Sequence, residues 1–170
     1  MRQVVLLDRD GTLIENVGYI SHYKNIIVRE GVFEGLLKLK EAGFVLVIVS
    51  NQSGIARNLI SEQEFQLVNN AFIAIFTERK IQFESIYYCF HLPSDNCSCR
   101  KPNTYFFERI KSYFENDFWA AMVGDSMVDA QFARNARIPF FSTGDISGYP
   151  KYGNFQEIAT AILKELTNVE

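Results

Sequence analysis

Val4-Val5-Leu6-Leu7-Asp8-Arg9-Asp10-Gly11-Thr12 decides the fold. Four apolar residues read as a strand buried on both faces, and it runs straight into two carboxylates spaced i, i+2 and then a glycine. Residues two apart in an extended chain share a side, so Asp8 and Asp10 are expected to converge while Arg9 points away. Carboxylates held that close repel each other unless a cation lies between them, which points to a divalent metal and oxygen chemistry. Asp10-Gly11 equally suits a plain capped turn. The rest of the chain separates the two readings.

Working outward, apolar runs suited to buried parallel strands recur at Phe44–Val49, Ile86–Cys89, Ala120–Val123 and Ile138–Phe141. Helical patterns fill the intervals. Val32 to Glu41 sets its apolar residues largely on one face before Gly43, and Ser61-Glu62-Gln63-Glu64 is a capping box opening a helix through Phe76. Thr104–Phe114, Met127–Arg137 and Phe155–Leu166 complete the set. Strands alternating with helices of this length predict an α/β fold, a three-layer, doubly wound parallel sheet of Rossmann-like form. At 170 residues and 48% apolar, a single domain spanning residues 1–170 is expected.

Such a sheet places its site beyond the carboxyl ends of the strands, so the residues standing there matter most. The first strand ends in Asp8-Arg9-Asp10. The second ends in Ser50-Asn51-Gln52-Ser53-Gly54, where a hydroxyl and backbone N–H groups can cradle phosphate oxygens, although a turn would use the same residues. The third leads through a loop to Arg100-Lys101-Pro102. The fourth ends in Gly124-Asp125-Ser126-Met127-Val128-Asp129: Asp125 could complete a magnesium site, and Asp129, one helical turn on, could orient it from behind. Helix-dipole complementation is the bland account of those two aspartates.

This ordered set resembles the haloacid dehalogenase superfamily of aspartate-nucleophile phosphatases, over Val4 to about Phe141. The resemblance implies that Asp8 attacks phosphorus to form an aspartyl-phosphate, and that Asp10 acts as general acid and then general base. It also implies that Ser50 and Lys101 hold the transferring phosphoryl oxygens, and that Mg²⁺ sits on Asp8, Asp125 and the carbonyl of Asp10. Asp10 speaks against carbon–halogen cleavage, because a departing halide needs no proton.

All three cysteines and one of the two histidines lie within the eleven residues Cys89 to Cys99. Cys89, His91, Cys97 and Cys99 match a closed, structural Zn²⁺ site, and an odd cysteine count argues against disulfides. Lys101 follows two residues later, so the zinc would fix its approach to the phosphate. This loop with Cys-Arg-Lys-Pro resembles the branch whose activities are D-glycero-D-manno-heptose 1,7-bisphosphate 7-phosphatase (heptose precursors of lipopolysaccharide) and histidinol-phosphate phosphatase (histidine biosynthesis). Ser50 to Arg57 and Gly18-Tyr19 look like the heptose enzymes, whereas the short cysteine loop looks like the histidinol-phosphate enzymes. The heptose resemblance implies a substrate site lined by Asn16, Val17, Gly18, Tyr19, Ser50, Asn51, Gln52 and Ser53, with Arg100 aiding recognition. It also implies no inserted cap domain. Two positions depart from the heptose pattern: Ser126 stands where a lysine is frequent, and Asn103-Thr104-Tyr105 replaces a Pro-Gly-containing turn.

A net charge of −3 and a pI near 5.5, with no basic run, give no footprint for nucleic acid. The longest apolar run, Phe44 to Val49, is too short to span a bilayer, and Met1-Arg2-Gln3 enters a strand without a leader. The expectation is a cytoplasmic monomer acting on a small phosphorylated molecule. A zinc-stabilised interaction module and a phosphotransferase or phosphomutase remain as readings from other classes.

Overall fold

The computed structural model describes residues 2–115 and 118–167. Its elements run β1 (Arg2–Leu7), α1 (Val32–Glu41), β2 (Val45–Asn51), α2 (Glu62–Glu78), β3 (Ser85–Cys89), α3 (Tyr105–Tyr113), β4 (Phe118–Gly124), α4 (Met127–Ala136), β5 (Phe140–Ser142) and α5 (Phe155–Thr167). The five strands pair in parallel in the order β3-β2-β1-β4-β5. From β1 the chain winds outward to β2 and β3, then crosses back to β4 and β5. The direction reverses at β1, which makes its carboxyl end the switch point where such sheets bind ligands.

Alternation along the strands sorts the core into two halves. Val5, Leu7, Leu46 and Ile48 face α1, α2 and α5, meeting Leu36, Phe72, Phe76 and Ile162. Val4, Leu6, Val47 and Val49 face α3 and α4, meeting Phe107, Ile110 and Phe132. Each of these strand residues is at most 1% exposed, and burying an aliphatic side chain of this size stabilises by about 1.5–3 kcal/mol. Two apolar faces explain why the strands read as continuous apolar runs, not alternating ones.

The capping box forms as expected: Ser61 N–H donates to Glu64 Oε2 at 2.7 Å, and Glu64 N–H donates to Ser61 Oγ at 3.1 Å. Strand ends shift by one or two residues from the sequence reading, and two of these shifts have a clear cause. β2 continues through Ser50 and Asn51, which pair with Tyr88 and Cys89, because β3 lies alongside to the end. β5 starts two residues late. Arg137 takes a left-handed conformation and Ile138 N–H closes the end of α4 on the Ala133 carbonyl, so the ladder resumes only after Pro139. Between Thr12 and α1 the chain forms a short 3-10 turn, Tyr23–Asn25, capped by exposed His22, and a single antiparallel bridge between Ile14 and Val28. Among the described residues no helix is long and apolar enough to cross a membrane.

Candidate active site

Asp8 extends the ladder one step beyond β1, its N–H donating to the Val123 carbonyl at 3.0 Å, so it emerges between β1 and β4. Two glycines let the other carboxylates approach. A Cβ at Gly11, which has φ +80°, would overlap the Asp125 carboxylate, and one at Gly124 would overlap Asp129. Asp129 accepts from Ser126 N–H at 3.1 Å and Ser126 Oγ at 2.7 Å, the reciprocal cap of α4. Its other oxygen takes the Lys101 ammonium at 2.6 Å, and the same ammonium donates to Asp8 at 2.8 Å. Lys101 is 3% exposed. The usual fate of a lone lysine, a solvated surface charge, does not apply here.

The main chain of Lys101 is fixed from β2. Asn51 Nδ2 donates to the Lys101 carbonyl at 3.1 Å, and Lys101 N–H donates to Asn51 Oδ1 at 3.0 Å. This tie was not foreseen for Asn51, which the sequence reading placed only among sugar-lining residues. An asparagine ending a strand gives no sign of its partner 50 residues away. Arg29 was also missed: it donates to the Gly11 and Thr143 carbonyls and buttresses the turn that carries Asp10 and Gly11.

Arg9 does not point away from the carboxylates. The chain bends at Arg9, one step beyond the Asp8 ladder bond, and the guanidinium turns back to Asp10, with Nε to Oδ2 at 3.1 Å and Nη2 to Oδ1 at 3.2 Å. Alternation holds only inside a strand, and the Asp8–Gly11 turn lies beyond its end.

Carboxylate oxygens of Asp8, Asp125 and Asp129 lie within 4.8 Å of one another. Burial raises the Asp8 carboxyl to about 7, with the Asp129 charge adding to the shift and Lys101 opposing it. Asp125 is raised to about 6 by burial and by Asp129. Three acidic groups around one lysine leave excess negative charge, and this hard-oxygen donor set fits a divalent cation such as Mg²⁺.

The second donor group fits zinc. Cys89 Sγ lies 3.6 Å from Cys97 Sγ, 3.2 Å from Cys99 Sγ and 3.6 Å from His91 Nδ1. Cys99 Sγ lies 3.6 Å from Cys97 Sγ and 3.3 Å from His91 Nδ1. Thiolates about 2.3 Å from a tetrahedral zinc are about 3.8 Å apart, close to these separations. Burial pushes the Cys89 thiol up to about 12, and the neighbouring Cys99 thiol adds to the shift. A bound cation reverses that by stabilising thiolate. Asn103 Nδ2 on the Cys97 carbonyl at 2.8 Å and Arg100 Nη1 on the His91 carbonyl at 3.1 Å fasten the loop.

Two cavities open beside Asp10. One, of about 230 Å³, is lined by Asp8, Asp10, Ser50, Lys101, Asp125 and Asp129 among others. The other, of about 350 Å³, holds Gly18, Tyr19, Gln52, Ser53, Arg57 and Arg100. Asp10, Asn16 and Asn51 border both. Val17 borders neither and is 54% exposed.

The family described as polynucleotide kinase 3 phosphatase matches residues 3–126. The chain belongs to this phosphatase family, within the haloacid dehalogenase superfamily. Among its relatives, the D-glycero-beta-D-manno-heptose-1,7-bisphosphate 7-phosphatase of Escherichia coli K12 is 35% identical over 79% of the chain and 74% of its own length. The enzyme of that name from Haemophilus influenzae is 31% identical over 99% of the chain and 95% of its own length. The histidine biosynthesis bifunctional protein HisB of Legionella pneumophila (strain Lens) is 32% identical over 97% of the chain, which spans only 46% of that relative. In fold, the chain matches the crystal structure of a D,D-heptose 1,7-bisphosphate phosphatase from B. bronchiseptica complexed with magnesium and phosphate. The TM-score is 0.82 at 24% identity, over 97% of this chain and 99% of that one.

Proposed function

We propose that residues 1–170 form one phosphatase domain that hydrolyses a small phosphorylated sugar, D-glycero-D-manno-heptose 1,7-bisphosphate, at its 7-phosphate. Asp8 attacks phosphorus and forms an aspartyl-phosphate as the phosphorus–oxygen bond to the sugar breaks. Asp10 gives a proton to the departing alkoxide, then takes one from the water that cleaves the intermediate and frees Asp8. Ser50 and Lys101 hold the phosphoryl oxygens, and Asp129 with Asn51 holds Lys101. Asp8, Asp125 and the carbonyl of Asp10 would carry Mg²⁺, which supplies cationic charge against the nucleophile and the phosphoryl oxygens. Cys89, His91, Cys97 and Cys99 would carry a structural Zn²⁺ that stiffens the loop delivering Lys101. The protein is taken to act as a cytoplasmic monomer.

One observation carries the choice of substrate. The leaving-group cavity presents Arg57 and Arg100, its one acidic residue Asp10 is already paired with Arg9, and Glu15 faces elsewhere and pairs with Arg29 at 3.7 Å. Guanidinium groups suit the remote phosphate of a bisphosphate, and the cationic side of histidinol phosphate would meet like charge. The net charge of −3 favours a small molecule over a polynucleotide. Histidinol phosphate is the second reading, supported by the likeness to HisB over 97% of the chain. The test is phosphate release by the purified protein with Mg²⁺ on each compound. Higher kcat/KM on the heptose bisphosphate is expected, and a clear preference for histidinol phosphate would overturn that choice of substrate. No release from either compound, with phosphate passed to an added acceptor, would make the protein a transferase.

A further inference from the structure

Arg9 is 3% exposed and lines the leaving-group cavity with its guanidinium held among protein groups. It lies 5.7 Å from the ring centres of both Phe65 and Tyr88, which meet edge to face, and the Tyr88 hydroxyl is tied to Asn69 Oδ1 at 2.6 Å. Held in that slot, its planar fork reaches both oxygens of Asp10. Gln52 closes the arrangement. Its Oε1 accepts from Arg9 Nη2 at 2.9 Å, and its Nε2 donates to Asp10 Oδ2 at 2.5 Å and to Ser50 Oγ at 3.1 Å. Turning the amide over would set its oxygen against the carboxylate and its NH₂ against the guanidinium, so the ring admits one orientation.

We infer that Arg9 and Gln52 are positioning residues for Asp10, and that they act on the reaction through that carboxylate and not by touching substrate. The inference rests on the phosphatase reading, which makes Asp10 the proton donor and acceptor. Both ends of the Gln52 amide are taken up by protein groups, which leaves little for a sugar hydroxyl. Arg9 Nη1 is buried with no protein partner, a cost that an apolar side chain in the same slot would avoid. What the guanidinium holds accounts for its place better than packing does. A carboxylate free to turn about its side-chain bonds would spend much of its time outside the 2.6–3.2 Å reach that proton transfer needs.

The experiment compares two leaving groups. Breaking an alkyl phosphate requires a proton on the departing oxygen, whereas p-nitrophenolate leaves without one, and kcat/KM reports only the half reaction that forms the aspartyl-phosphate. Gln52→Leu and Arg9→Met, each alone and combined with Asp10→Asn, are assayed on the heptose bisphosphate and on p-nitrophenyl phosphate. Each single variant is expected to lose about 10- to 100-fold in kcat/KM on the alkyl substrate, part of the ~10²–10⁴ that general acid catalysis supplies. On p-nitrophenyl phosphate the loss should stay below about 3-fold, and in the Asp10→Asn background neither change should lower activity further. Equal losses on both substrates, or losses that multiply with that of Asp10→Asn, would overturn the inference, because the residues would then act on substrate or on the fold. If Arg9→Met does not fold, Gln52→Leu carries the test alone. Full alkyl-phosphatase activity in Asp10→Asn would remove the phosphatase reading's role for Asp10. An impaired Asp10→Asn beside unimpaired Gln52→Leu and Arg9→Met would remove only the clamp.

Discussion

The carboxylates of Asp8, Asp125 and Asp129 and the cysteines 89, 97 and 99 with His91 each gather metal-ligating atoms within 4.8 Å, and they are built differently. The first group stands at the ends of β1 and β4, faces a cavity and already holds a lysine. Its members come from parts of the chain more than a hundred residues apart, so the sheet sets their geometry. The second sits on one short loop, and its four donors complete a tetrahedron by themselves. The first arrangement leaves room for a substrate oxygen and the second leaves none. The two meet at Lys101, which the loop delivers and the carboxylates receive.

The sharpest break in that comparison is Asp8→Asn. The variant keeps the shape and loses the nucleophile, so phosphate release should fall by about 10⁴-fold or more. Asp125→Asn should fall less and recover partly with excess Mg²⁺, because it supplies a ligand and not the attacking atom. Turnover by Asp8→Asn above about a hundredth of wild type, measured in steady state, would be incompatible with an aspartyl-phosphate.

The next effect separates the two groups by their metals. Dialysis against a mild chelator should abolish activity, and Mg²⁺ alone should restore it, with about one zinc per chain still found by metal analysis. Stripping the zinc with a thiol-reactive reagent should lower the melting temperature and reduce kcat together, since the loop would no longer hold Lys101. A zinc-free protein with unchanged melting temperature and activity would leave the thiol group without its structural role.

The same contrast explains what could be read in advance. All five strands and five helices were legible from apolar runs and caps, because two-faced burial writes itself into continuous stretches such as Val45–Val49. Lys101 stands on a loop and drew notice only through the resemblance of the motif order, whereas Asp8 and Asp125 were legible because they stand next to such runs, and the thiol group because its donors are close in sequence. The turn of Arg9 toward Asp10 and the Asn51–Lys101 tie were not. Both depend on backbone beyond a strand end and on partners from other strands, where neither period 2 nor period 3.6 applies.

Arg100 lies between the two groups, one residue after Cys99 and one before Lys101, with its side chain on the leaving-group cavity. Removing its charge-assisted contact should cost about 2 kcal/mol, so Arg100→Ala should lower kcat/KM for the bisphosphate by about 30-fold and barely affect a generic monoester. Its bond to the His91 carbonyl calls for a melting curve alongside the kinetics. Equal losses on both substrates would place Arg100 with the transferring phosphoryl group, and the cavity would lose its claim to the second phosphate.

The smallest effect concerns protons competing with magnesium at the oxygen donors. In the metal-free protein Asp8 is raised from 3.8 to about 7 and Asp125 from 3.8 to about 6, chiefly by burial. Both carboxyls therefore hold protons more tightly in the folded chain than in the unfolded one. Folding takes up protons between these values, so the groups' contribution to stability falls as pH rises from about 4 to about 7 and is flat above that. Magnesium needs both carboxylates ionised, so its stabilisation must rise over the same window. Melting curves with and without Mg²⁺ should differ little at pH 5 and by a few degrees at pH 7.5. The zinc-loaded thiol group is present in both arms, so its own proton release cancels from the difference. An Mg²⁺-induced shift of the same size at both pH values would mean that the ion does not bind through these two buried carboxyls. The oxygen group would then owe its geometry to Lys101 and the Ser126 cap of α4, with no part for a metal.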